Sequence, residues 1–269
     1  MTNVISATTD SCRKFSFETA LAMIAGAGFK WVELLAASEW KPHLQAEELN
    51  KEDANRVVSL IESYGLKPES ISGHSDLSTE KGVELLEARM DLAEWMGVRI
   101  INTGTGRKIK TEEEKTSLRR NLRKIGDEAK TRGLIIALEP HGFAFGSGQA
   151  LRPLIEDVGS DAIRINYDTA NVIFYSGLRP EEDIQHVAEL IAHVHVKDQI
   201  GGKEVWNFPA PGQGSVNFDR IFEILRGVGY QGPYSVEIEL TFESLTNQSD
   251  MGEALKAGYA FMRSRFSCD

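Results

Sequence analysis

Hydrophobic positions fall into short continuous runs that alternate, from one end of the chain to the other, with longer stretches where apolar residues return at helical spacing. The short runs predict strands at Val4 to Ala7, Trp31 to Leu35, Glu69 to Ser72, Val98 to Asn102, Leu134 to Glu139, Ile163 to Asp168, His193 to Lys197 and Tyr234 to Ile238. The longer stretches predict helices at roughly 17 to 27, 46 to 64, 79 to 96, 111 to 131, 148 to 158, 181 to 191, 218 to 228 and 246 to 264. Punctuation agrees with several of these bounds. Thr111 precedes three glutamates and can cap a helix; Gly28, Gly65, Gly97 and Gly133 each stand where a helix ends before the next strand; Pro180 can open a helix.

Strand and helix alternating eight times over 269 residues is the pattern of a (β/α)8 TIM barrel, α/β in class, and the chain is expected to form one domain, 1 to 269. An open doubly wound sheet is the competitor. It calls for a glycine-rich turn after the first strand, and VISATTDSCRKF has none. The longest stretch without periodicity, QIGGKEVWNFPAPGQGSVN from Gln199 to Asn217, leaves strand seven and is expected over the catalytic end of the barrel.

Four predicted strands close on groups that can bind a metal: Glu139 in LIIALEPHG, Asp168 in IRINYDTAN, His195 in AHVHVKDQ and Glu237 in YSVEIE. Gathering three carboxylates and an imidazole in a barrel is costly unless a proton or a cation compensates. Oxygen and imidazole donors suit one divalent ion, with manganese taken first and magnesium, cobalt or zinc as alternatives. A structural reading stands beside each residue. Glu139 can leave the sheet into solvent, Asp168 can cap a helix, and His193, on the same face as His195 but one layer deeper, can be a hydrogen-bonded packing residue or a ligand. Glu239 is expected farther out than Glu237.

Around this set, His141 lies two residues beyond Glu139 and has an acid–base range near neutrality. Lys197, His74 in ISGHSD, Glu33 in KWVELL, Asn171 in DTAN and Trp206 are expected to meet substrate, with a rim or packing role open for each. Trp40 and Phe208 are further aromatic candidates for the same mouth. NTGTGRK, with Arg107 and Lys108, fits neither a dinucleotide nor a nucleoside-triphosphate loop, so a non-phosphorylated polyol or keto-sugar is preferred.

Composition adds exclusions. Forty acidic against thirty basic residues give a formal charge of -10, which disfavours a nucleic-acid backbone or an anionic membrane as partner. Cys12 and Cys268 form no CxxC pair, so thiolate zinc is not expected. No stretch approaches a membrane span and the start carries no leader pattern, so the expected location is cytoplasmic.

The stretches IIALEPHG, NYDTAN, HVHVKD, PGQGSVNFDRIFEIL and GYQGPYSVEIE together resemble the metal-dependent sugar isomerase and epimerase superfamily, xylose isomerase-like TIM barrels that include ketose 3-epimerases, hydroxypyruvate isomerases, and inosose isomerases and dehydratases. The resemblance runs along the whole chain. It implies a metal held by Glu139, Asp168, His195 and Glu237, proton transfer next to a carbonyl through an enediolate with Glu139 and Glu237 as the acting carboxylates, and a homodimer or homotetramer. The activity expected first is a keto-sugar or polyol isomerase or epimerase. A lyase using the same chemistry, by inosose-type dehydration or release of an aglycone from a 3-keto-glycoside with His141 as acid, is the alternative; a non-catalytic sugar-binding or complex subunit is the third reading. Two departures weigh against an ordinary ketose 3-epimerase: Asn171 stands where such enzymes place a histidine, and the arginine expected soon after His195 is replaced by QIGGKE, whose one cation is Lys203. The related endonuclease IV chemistry needs more histidines than the six here.

Overall fold

The computed structural model of the protein describes residues 3–36, 43–106 and 109–266. Eight parallel strands close into a barrel in sequence order: β1 Ile5–Thr8, β2 Trp31–Leu35, β3 Lys67–Ser72, β4 Ile100–Thr103, β5 Ile135–Leu138, β6 Ile163–Asp168, β7 Ile191–Val196 and β8 Tyr234–Val236. Helices α1 Phe17–Ala27, α2 Lys51–Ser63, α3 Glu80–Met96, α4 Glu112–Arg132 and α5 Gly148–Val158 follow the first five strands, and α8 Phe218–Gly227 and α9 Gln248–Arg263 the last two. Between β6 and β7 lie α6 Thr169–Ser176 and the single-turn α7 Pro180–Asp183. The helices pack their apolar faces on the strands, and apolar side chains such as Leu34, Ile71, Ile136, Ile165 and Val194 are buried between the layers.

Local chemistry sets the bounds. Thr111 Oγ1 accepts from Glu114 N while Glu114 reaches back to the Thr111 N–H, a reciprocal cap on α4. Gly97 and Gly133 end α3 and α4 with φ near 70°, a left-handed turn that a side chain would strain.

Two predicted elements change. The expected helix over 181 to 191 is α7 followed by two short 3-10 turns, and β7 already begins at Ile191. A helix was not expected over 169 to 176, where TANVIFYS is apolar on all sides; Asp168 caps it through Oδ1, which accepts from Ala170 N and Asn171 N at 2.9 Å. Among the described residues no helix is long and apolar enough to cross a membrane.

Candidate metal and acid–base site

At the carboxyl end of the barrel a cavity is lined by the ends of β1, β2, β3 and β5 to β8 and by α6. The register sets Asp168 beside His195, because β6 and β7 pair them directly. Glu139 lies one residue past β5 and Glu237 one past β8, each entering by a bond from its backbone N–H to the neighbouring strand, to Thr103 O and Val196 O.

His195 is the meeting point. Its Nδ1 is 2.7 Å from Glu237 Oε2, 3.2 Å from Glu139 Oε2 and 3.9 Å from Asp168 Oδ2. One oxygen each from Glu139 and Asp168 and a His195 nitrogen lie within 4.8 Å of one another, close enough to share an ion. Glu237 adjoins this set through His195, and also groups with Asp10 and Glu239. Asp168 resolves the two sequence readings by doing both jobs: Oδ1 caps α6, while the buried Oδ2 has no hydrogen-bond partner among the described residues. A buried carboxylate oxygen left without a donor beside two further carboxylates and an imidazole is what a divalent cation satisfies, and the oxygen–nitrogen donor set fits a hard or borderline ion.

Charge governs the protonation states. Burial would raise Glu139, but His74 and His195 hold its carboxyl well below the usual range. Burial would raise Glu237 too, and Lys197 with His195 lowers it instead. Burial raises Asp168 to about 6 despite Lys197 and His195, with Glu237 and Glu139 adding to the rise. For His195 the order reverses: burial would lower it, and Glu33 and Glu237 lift it well above its ordinary value.

Lys197 Nζ donates to Glu237 Oε1 at 2.7 Å, lies 2.6 Å from Glu239 Oε2 and 3.6 Å from Asp168 Oδ2, and sits 4.7 Å over the Phe208 ring. Glu239 is as buried as Glu237 and lines the same cavity, which departs from the outlying position expected of it. Its other oxygen meets Arg13 at 2.5 Å. Arg13 and Asp10, on the turn after β1, were missed; an acid and an arginine just past a predicted strand end were the available signal.

The expected substrate residues separate into two groups. His74, His141, Asn171, Lys197 and Trp206 all line the cavity. Asn171 Nδ2 donates to Glu139 Oε1 at 2.8 Å, and His74 Nε2 is 3.5 Å from Glu139 Oε2. The buried Trp206 indole N–H has no acceptor among the described residues, leaving a donor for a hydroxyl. Glu33 is the exception. It was expected to contact substrate or sit on the rim, yet it is wholly buried and outside the cavity lining, bonded to His195 Nε2 at 2.9 Å and accepting from Asn102 Nδ2 at 2.6 Å. His193 lies in this lower tier as well, with Nδ1 2.8 Å from Asn166 Oδ1 and Nε2 3.1 Å from Glu69 Oε1. Lys203 packs near Gly177 and is not among the lining residues. Trp40, Arg107 and Lys108 fall outside the described residues.

A second polar pair was not anticipated. Tyr175 Oη and His141 Nε2 are 2.9 Å apart, and the His141 ring packs edge-on against His74. Tyr175 follows Asn171 by one helical turn on α6, so recognising that helix would have placed both on one face. From Tyr175 an aromatic wall runs through Phe174 and Trp206 to Phe242. Leu240, left-handed at φ 52°, turns the chain so that its segment pairs with Phe208 and closes this wall.

Known proteins resemble this chain along most of its length. An inosose dehydratase of Clostridium botulinum (strain Alaska E43 / Type E3) is 28% identical over 144 residues, 48% of either chain, so the match spans about half of that enzyme. Another, from Clostridium botulinum (strain Eklund 17B / Type B), is 23% identical over 254 residues, 86% of this chain and 84% of the enzyme. Three solved structures share the fold: an L-ribulose 3-epimerase (TM-score 0.76, 22% identity, 97% of this chain and 94% of that one), a probable 3-DHS dehydratase from Bacillus anthracis (0.75, 20%, 97% and 99%), and a Mycobacterium smegmatis barrel protein in complex with magnesium (0.73, 18%, 96% and 98%). The model of one family, the xylose isomerase-like TIM barrel, matches residues 21–265, and the closed eight-stranded barrel agrees with it: the chain belongs to the xylose isomerase-like TIM barrel family.

Proposed function

We propose that this protein is a divalent-cation-dependent lyase that eliminates water from an uncharged keto-polyol of the inosose type. The observation that carries the reading is the His141–Tyr175 pair at 2.9 Å, on the wall of the cavity that also holds Glu139, His195 and Glu237. Elimination needs two proton transfers at different atoms. The carbon–hydrogen bond next to the carbonyl breaks, a carbon–carbon double bond forms, and the hydroxyl on the next carbon leaves as water once it has received a proton.

Glu237, kept charged by Lys197 and His195, is assigned the carbon-bound proton, since a base must be ionised to accept one. Glu139 is oriented by Asn166 and Asn171, whose amides donate to its two oxygens at 2.9 and 2.8 Å. His141 is assigned delivery of the proton to the departing hydroxyl, with the Tyr175 hydroxyl at its Nε2 to orient the ring. A cation held by Glu139, Asp168, His195 and Glu237 would supply fixed positive charge for the carbonyl oxygen as it turns negative, an effect worth several kcal/mol in such sites. Curated relatives that are inosose dehydratases support the same class.

Charge defines the substrate. Asp10, Glu139, Glu237 and Glu239 line the cavity against two permanent cations, Arg13 and Lys197, both of which are already bonded to carboxylates. An anionic phosphate or carboxylate has no unengaged cation to meet there among the described residues, whereas hydroxyls find donors and acceptors throughout. Epimerisation or isomerisation, placed first by the sequence, is the second reading. It is favoured by Glu139 and Glu237 both approaching His195 Nδ1, since a carboxylate on each side of a carbon allows inversion.

Proton NMR in heavy water separates these. The manganese-loaded protein and an EDTA-stripped control would be given inososes, ketoses and 3-keto-glycosides, and we expect cation-dependent appearance of an enone or diketone from an inosose. A new stereoisomer with loss of one carbon-bound proton would move the assignment to epimerase. Cation binding without turnover of any of them would leave a sugar-binding role.

A further inference from the structure

We infer that Glu33 is a positioning residue that fixes His195 in the tautomer able to bind a cation through Nδ1. This rests on the cation reading above and extends it to a residue outside the cavity. An imidazole must present a lone pair to a metal at one nitrogen and can carry a proton at the other. In this barrel the two nitrogens face different surroundings. Nδ1 looks toward Glu237, Glu139 and Asp168, while Nε2 points into the barrel at Glu33, 2.9 Å from Oε2 and 3.1 Å from Oε1. A carboxylate only accepts, so this contact demands the proton on Nε2 and leaves the lone pair on Nδ1.

Glu33 is itself fixed. Asn102 Nδ2 donates to Oε1 at 2.6 Å, and Asn102 also lies 3.2 Å from His193 Nδ1. Glu33, His193 and His195 also lie close enough together to suggest a second, deeper ion. Their bonding argues against it. Both Glu33 oxygens accept hydrogen bonds, and both His193 nitrogens are engaged, one by Asn166 and the other by Glu69 and Ser70. The deeper tier is a support, and the ion belongs above it. The same tier steadies a second candidate ligand, because Asn166, bonded to His193, donates to Glu139 Oε2 at 2.9 Å.

The test uses the full-length protein with Co2+ and Zn2+ alone, without substrate. Glu33→Gln keeps the shape and removes the charge, and its amide turns one donor toward a nitrogen or an amide that already donates. We expect Co2+ to bind 10- to 100-fold more weakly, with an altered visible spectrum, while the metal-free variant melts no lower than wild type. A residue that merely filled the barrel would give the opposite pattern, a change in melting with affinity kept. Should the variant fail to fold, 15N-histidine NMR of the Zn2+-loaded wild type decides: the inference requires a metal on Nδ1 of His195 and a slowly exchanging proton on Nε2, and coordination through Nε2 overturns it. Unchanged Co2+ affinity in Glu33→Gln overturns it too. Failure of the wild type to bind either ion would instead remove the cation reading itself.

Discussion

The strands β1 to β4 and β5 to β8 build two halves of one barrel with the same architecture, yet they treat their polar residues differently. The second half sends Glu139, Asp168, His195, Lys197, Glu237 and Glu239 to a common point, where carboxylates meet one imidazole and one ammonium and an Asp168 oxygen has no donor. The first half places Glu33 and Asn102 beneath that point in hydrogen bonds, and Thr9 Oγ1 accepts from Leu35 N at 2.8 Å. One half concentrates charge that an ion must complete; the other supplies bonds that hold those charges in place. Chemistry and its support therefore come from opposite sides of the barrel rather than from successive layers of each strand.

Substitutions in the second half should have the largest effects. Asp168→Ala removes the orphaned oxygen and the α6 cap together, and we expect activity on an identified substrate to fall on the order of 10³-fold with loss of measurable cation binding. Retention of both would mean that the ion, if any, lies elsewhere. Next comes Lys197→Met, which keeps the apolar stem over Phe208 but leaves Glu237 and Glu239 facing each other without their shared ammonium. Removing one partner from a buried ion pair costs about 3 to 5 kcal/mol. Thermal melting of the variant should show a large drop that added Mn2+ partly restores, and a drop that the ion leaves unchanged would separate Lys197 from the cation site.

In the first half the expected effects are smaller and concern order. Asn102→Ala deletes the donor to Glu33 and should cost about 1 to 3 kcal/mol in denaturant unfolding, because a buried carboxylate oxygen loses a bond. Weaker still is Thr111→Ala, which breaks the reciprocal cap of α4 for about 1 kcal/mol and should leave cation affinity untouched. If Asn102→Ala behaved like the surface cap, the supporting role of the first half would be wrong.

The same division explains what could be read from the chain. All eight strands and the ligand candidates of the second half were legible, because each ligand ends an apolar run and the barrel brings such ends together. Glu33 was seen but misplaced. Its partner His195 is 162 residues away, and no local pattern separates a glutamate that supports a ligand from one that greets a substrate. Tyr175 and Phe174 were lost with α6, whose apolar, β-branched sequence hides its helical period next to a strand that ends in Asp168. Arg13 was hidden for a simpler reason: a single 3-10 turn carries it into the cavity, too short for any periodicity to show.

Two buried histidines carry the comparison down to protons, and they give the smallest expected effect. In the second half, burial would lower His195, but Glu33 and Glu237 raise it well above its ordinary value. In the first half, burial lowers His43, near β2, and the backbone bond from its Nε2 region to Phe15 O only partly opposes the shift. The folded state therefore resists protonating His43 while the unfolded chain accepts a proton near pH 6.5. Stability from this site is present above the unfolded value, and as pH falls below about 6.5 the unfolded state gains protons that the native state refuses, until the lower folded value is passed. Urea unfolding of wild type and His43→Gln at pH 7.5 and pH 5 should show the wild type losing more stability between the two conditions than the variant. Equal losses would mean that His43 titrates alike in both states, and the contrast between the two histidines would rest on His195 alone.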